Sequence, residues 1–187
     1  MARVPLVSRD GIPQQLQEAF DEVVAHRGAN NVVSSGPTSV LINSPEAARR
    51  GVRFANFLAD ESSISAKHRE LAILITARGL DCQFIWDAHA ASGHRAGLGQ
   101  ALVNALRDNQ PLPPGPADEV ALITYGLEFF RSHRVSDATF NAALEQFGTE
   151  TLVELTALMG YYSLLAFQAL AFAIDLPERR TEPLLPI

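Results

Sequence analysis

Apolar residues recur along the chain at spacings of three and four, and stretches of alternating β-branched residues are few, so the pattern predicts an all-α protein. An opening helix follows Pro13, carries Leu16, Phe20, Val23 and Val24 on one face and ends near Gly28. Residues 30–43, with Gly36 and Pro37 in their midst, read as an irregular polar loop. Ser44, Pro45 and Glu46 then supply an N-cap, a first-turn proline and an acid suited to the positive end of a helix. The helix they start runs to about Asp60 and is expected to bury Val52, Phe54 or Ala55, Phe57 and Leu58.

Beyond Ser63 and Ser65, residues 67–78 have their polar groups bunched at the start and an apolar body, which predicts a mostly buried helix. Gly79 is placed to stop it in a left-handed conformation. Asp81 is placed to cap the next helix, which runs from Cys82 through Arg95 to a stop at Gly97. A short helix over 99–107 leads into Gln110-Pro-Leu-Pro-Pro-Gly-Pro116, a stiff segment that no helix continues through. Further helices are expected over 117–133, from a Ser136-Asp137 cap to Phe147 with Gly148 as its stop, and over 149–174. The tail beyond Pro177 reads as extended, and no internal repeat is evident.

The length of 187 residues suits a single domain spanning 1–187, and 47% apolar residues are ample for a packed core. Fifteen Lys and Arg against twenty-one Asp and Glu leave a net charge of −6, the wrong sign for a protein that grips phosphate backbones, so no nucleic-acid partner is expected. One cysteine forms neither an internal disulfide nor a thiol-rich zinc cage, and the five histidines lack ligand spacing, so no metal site is expected. With no export signal visible at the start, the setting reads as cytoplasmic. The uncharged run 155–174 is long enough to cross a hydrocarbon layer of roughly 30 Å. Thr156, Gly160, Tyr161, Tyr162, Ser163 and Gln168 interrupt it, and it reads as a buried or interface helix rather than a membrane span.

The chemistry concentrates on the helix pair around Gly79. Cys82, Ile85 or Trp86, and His89 fall on adjoining parts of one face. Cys82 lies in a first turn, where free amide groups and the helix dipole favour a thiolate, so its pKa would be lowered if the thiol were partly exposed. His89 stands ~10 Å further along the axis, far enough for a water or substrate to lie between them. Antiparallel packing would bring Glu70 towards His89, where a carboxylate orients the imidazole and supports its charged form for acid or base work.

Arg69-Glu70-Leu71, with Cys82 twelve positions after the glutamate, then Trp86, His89 and Ala96-Gly97-Leu98, resembles the carboxymuconolactone decarboxylase family of the alkylhydroperoxidase-D-like superfamily. Asn43-Ser-Pro-Glu46, Val135-Ser-Asp-Ala138 and Gly160-Tyr-Tyr162 extend the likeness over roughly residues 40–176. The resemblance implies an all-helical fold around a paired-helix core, assembled as a trimer or hexamer. It also implies a small-molecule substrate and no cofactor. The family's peroxidase branch carries a Glu, a Cys-x-x-Cys pair and a His four residues after the second Cys. Glu70, Cys82 and His89 stand at matching positions, and Ile85 replaces the second cysteine. The decarboxylase-like branch often has an acidic residue where Ile85 stands, followed by the same His.

Three functions follow from that resemblance. The first is cofactor-independent decarboxylation of a small carboxylated lactone or related product of aromatic degradation. His89 would move the proton, Glu70 would orient it, Arg78 or Arg95 would hold the substrate carboxylate, and Trp86 would wall a ring pocket. The second is a thiol-dependent peroxidase or disulfide reductase with Cys82 as its sole redox thiol, regenerated from outside the chain. The third is an oligomer that binds a small ligand without turnover, in keeping with the apolar Ile85.

Overall fold

The computed structural model describes residues 2–27, 33, 35–178, 180 and 182–187. Among these there are eight α-helices and no strand: α1 (Gln17–Arg27), α2 (Gly36–Leu41), α3 (Pro45–Asn56), α4 (Ala66–Gly79), α5 (Gln83–Arg95), α6 (Gln100–Arg107), α7 (Ala117–Ser132) and α8 (Asp137–Ala171). The stop expected at Gly28 lies outside the described residues.

Helix α4 is the axis of the larger core. Its residues 71–77 are all buried, because α5, α7 and α8 pack around it. Polar groups are kept to its ends, as a helix apolar on every side requires. The Ser65 hydroxyl caps α4 by accepting from the His68 N–H at 3.2 Å. Lys67 pairs with Glu119, and His68 Nε2 bonds Asp118 Oδ2 at 2.8 Å, so two polar contacts fasten the start of α4 to the start of α7. A smaller core joins Phe20 and Val23 of α1 to Ile42, Ala48 and Val52.

Helix α8 changes direction at Gly148, whose φ of 70° lies in the region glycine tolerates best. The stop expected there is therefore a break between two arms. Leu155, Leu158, Met159, Leu165, Ala166 and Ala169 of the second arm are buried, while Val153, Leu164, Phe167 and Leu170 are exposed. By length and composition α8 is the one helix among the described residues that could cross a membrane, and its inner face packs on α4 and α7.

Several expectations change. The loop expected over 30–43 contains α2, started by Ser35 and a first-turn Pro37 and closed by the Asn43 amide donating to Val40 O at 3.0 Å. The helix expected to reach Asp60 ends at Asn56 and widens into a π-turn over Phe57–Glu61. Val52, Ala55 and Leu58 are buried, whereas Phe54 and Phe57 face outward, 41% and 37% exposed. Gly79 is the last residue of α4 and is not left-handed. Its role is close approach, since a Cβ there would collide with the ring of Phe130 on α7.

Replacing Gly79→Ala is expected to destabilise the protein by about 1–3 kcal/mol in urea unfolding, the usual cost of overpacking. Adding Phe130→Leu should recover part of that loss, because the two positions share one contact.

Candidate active site

The turn between α4 and α5 sets the geometry. Leu80 and Asp81 make it, Asp81 in the left-handed region at φ 52°. Cys82 supplies the N-cap of α5, and its N–H donates back to Ala77 O at 2.8 Å. The cap expected from Asp81 therefore falls to Cys82, and the Asp81 carboxylate pairs with Arg78 instead.

Two arms of nearly equal length leave this turn: eight residues from Arg78 back to Glu70, and seven from Cys82 on to His89. Both side chains stand about 10–12 Å from the turn along their helices, so antiparallel packing sets them level. His89 Nδ1 lies 2.9 Å from Glu70 Oε2. A carboxylate only accepts, so Nδ1 carries the proton of this bond and the neutral imidazole keeps its lone pair on Nε2. Nε2 has no protein partner among the described residues. The two side chains are largely covered yet open to solvent, His89 22% and Glu70 13% exposed.

Tyr162 of α8 closes a third side, its ring edge-on to His89 at a centroid distance of 5.1 Å and 89°. Tyr161 packs edge-on to Tyr162 at 5.9 Å and to Phe54 at 6.0 Å, so a row of rings leads from the imidazole to the surface. The sequence reading gave Tyr162 no role. Its signal was position: it lies three or four residues from Leu158, Met159, Leu165 and Ala166 on the inner face of α8.

The remaining candidates do not join this group. Cys82 is fully buried, and burial pushes its thiol above the ordinary pKa despite the N–H groups of Ile85 and Phe84 that favour the thiolate. The lowered pKa expected of a partly exposed first-turn thiol is thus reversed. No hydrogen bond links Cys82 to Glu70 or His89 among the described residues. Ile85 is buried, and so is Trp86, whose indole N–H donates to Pro183 O at 3.0 Å. Trp86 is therefore a core side chain beneath the tail and not an open pocket wall. Arg78 sits at the far end of α4, bound to Asp81 and to Arg107 O, and Arg95 donates to Ser92 Oγ at 2.6 Å. A cavity of about 570 Å³ between α6, residues 109–112 and α7 is lined by none of these residues. Among the described residues, no group of three or more His, Cys, Asp or Glu is placed to hold a metal ion.

No family model and no curated protein matches the sequence. Solved structures do match the fold. An uncharacterized peroxidase-related protein from Silicibacter sp. TM1040 superposes with a TM-score of 0.72 at 16% identity, over 95% of this chain and 92% of that one. An uncharacterized peroxidase-related protein from Ralstonia eutropha JMP134, described as an alkylhydroperoxidase AhpD core, gives 0.70 at 16% identity over 95% and 93%. The chain has the alkylhydroperoxidase-D-like fold. The debrominase Bmp8, in complex with 2,3,4-tribromopyrrole, shares it with a TM-score of 0.72 at 13% identity, over 95% and 92%. This is the all-helical, paired-helix architecture that the sequence resemblance implied.

Proposed function

We propose that the protein is an acid–base enzyme in which His89, held by Glu70, moves a proton on a small ring-shaped substrate, with decarboxylation of a carboxylated lactone as the reaction. The observation that carries this reading is the 2.9 Å bond from His89 Nδ1 to Glu70, which leaves Nε2 as the working nitrogen of a side chain that is 22% exposed. In the reaction the carbon–carboxylate bond breaks and carbon dioxide leaves. The electron pair passes into the lactone carbonyl as an enolate, and imidazolium Nε2–H protonates the carbon. Solvent then restores the proton on His89. A carboxylate that departs as a neutral gas is helped by apolar surroundings, and the ring of Tyr162 provides them beside His89 without an arginine clamp. The debrominase of this fold, in complex with a halogenated pyrrole, supports a small ring as the substrate class. Burial and a raised pKa leave the Cys82 thiol poorly suited to the peroxidase alternative.

The test is carbon dioxide release from a panel of carboxylated γ-lactones. His89→Gln should lower kcat by about 10²–10⁴-fold, the range typical of a lost general acid or base. Binding with no product from any member would favour a ligand-binding oligomer. Peroxide consumption driven by a dithiol and dependent on Cys82 would favour the thiol enzyme.

The same reading includes a homo-oligomer, a trimer or hexamer. Val153, Leu164 and Phe167 are 62%, 42% and 66% exposed and, with Gly160, form one stripe on the outer side of α8. Sedimentation at micromolar concentration should show an assembly that Phe167→Asp shifts toward monomer. A wild-type monomer at every concentration would contradict it.

A further inference from the structure

The cavity of about 570 Å³ between α6, residues 109–112 and α7 combines an apolar lining with a few polar groups. The buried Leu106 and Ile123 and the half-buried Leu112 and Leu127 make up most of the apolar part. Both the size and this composition are those of small-molecule sites, which span roughly 300–1,000 Å³. The polar part begins where α6 stops. Gln110 N–H donates to Ala105 O at 2.9 Å and Asn109 N–H to Leu106 O at 3.4 Å, with Asn109 left-handed at φ 52°, so a Schellman turn closes the helix. Asn109 lines the cavity and makes no side-chain hydrogen bond among the described residues.

Two opposite charges of α7 line the same cavity without meeting. The neighbouring arginines are engaged, Arg78 with Asp81 and Arg107 with Asp108. Arg131 makes neither a hydrogen bond nor an ion pair among the described residues. A smaller cleft of about 170 Å³ shares Arg131 and Asn109, and its carboxylate, Asp81, is already taken by Arg78. Glu128, one turn before Arg131, is turned toward the start of α8. Its Oε1 accepts from the Ser136 N–H at 2.9 Å and its Oε2 from the Ser136 hydroxyl at 3.3 Å. Hydrogen bonds from Thr139 and Ser136 hold its carboxyl below the usual range, so it stays an anion at neutral pH. Each oxygen still has room for a further donor. Residues three apart on a helix have Cβ atoms only about 5–6 Å from one another, so both charges are within reach of one small molecule. A ligand with only a carboxylate would meet Glu128 as well as Arg131, and one with only an ammonium would meet Arg131 as well as Glu128. A ligand that carries both groups on one carbon complements the pair.

We propose that this cavity binds a free α-amino acid with a large apolar side chain, Arg131 taking the carboxylate, Glu128 the ammonium, and Leu106, Leu112, Ile123 and Leu127 the side chain. The cavity is lined by neither Glu70 nor His89, so this binding stands independently of the proton-transfer reading.

The test is isothermal titration calorimetry of the full chain with L-phenylalanine and L-leucine. Two blocked probes run beside them: N-acetyl-L-phenylalanine, which lacks the ammonium, and L-phenylalaninamide, which lacks the carboxylate. At least one free amino acid should bind with Kd below about 1 mM. Each blocked probe should bind at least about tenfold more weakly than L-phenylalanine, the scale of a lost charge-assisted hydrogen bond. Arg131→Gln should remove the preference for L-phenylalanine over its amide, and Glu128→Gln the preference over its N-acetyl form, with folding checked by circular dichroism. The bound amino acid should also shift the side-chain amide signals of Asn109 and Gln110 in proton–nitrogen NMR spectra. No binding of either amino acid at about 10 mM would overturn the proposal. So would blocked probes that bind as tightly as the free amino acid, or binding that Arg131→Gln leaves unchanged. If Glu128→Gln disturbs the start of α8, Arg131→Gln and the two blocked probes decide the matter.

Discussion

The hydrogen bond from His89 to Glu70 joins two helices at matched height, and the rest of the site depends on the packing that holds those helices in register. Helix α4 is buried around its whole middle, so it cannot rotate or slide without moving α5, α7 and α8 together. The turn from Gly79 to Cys82 is short and is pinned by the Cys82 N–H to Ala77 O bond. Gly79 lets Phe130 of α7 pack directly against the end of α4. With that end fixed, nearly equal arms deliver a carboxylate and an imidazole to the same level, and α8 sets Tyr162 against the imidazole ring.

The site that results is selective about which group can act. Cys82 and His89 stand seven positions apart, and the two answer to opposite environments. The thiol is enclosed and disfavoured as an anion, while the imidazole keeps Nδ1 on its carboxylate partner in a side chain that solvent partly reaches. A fold shared with peroxidase-related proteins thus carries a pair suited to proton transfer and a cysteine without the neighbour that disulfide chemistry in cis requires.

The helix pair was legible because local signals agreed: polar residues bunched before an apolar run, a glycine and an aspartate at the turn, and residue counts that place Glu70 opposite His89. What escaped the sequence was set by contacts between distant segments. Trp86 donates to Pro183 O and Gln83 pairs with Leu185, about a hundred positions away, and no local pattern announces a tail folded back on α5. Phe54 and Phe57 carry helical spacing yet face outward, because the buried stripe of this segment runs through Ala48, Val52, Ala55 and Leu58 and leaves both rings on the other side. Arg78 looked available for an anion, but its sequence neighbour Asp81, turned by a positive φ, takes its charge.

The most direct test of the account is the protonation pattern of the His89 ring, read from the two ring-nitrogen chemical shifts by long-range proton–nitrogen correlation NMR under conditions where the imidazole is neutral. The account predicts the tautomer with its proton on Nδ1, shared with Glu70, and an unprotonated Nε2, with that preference lost in Glu70→Ala. A neutral ring protonated on Nε2, or a pattern unaffected by Glu70→Ala, would contradict it.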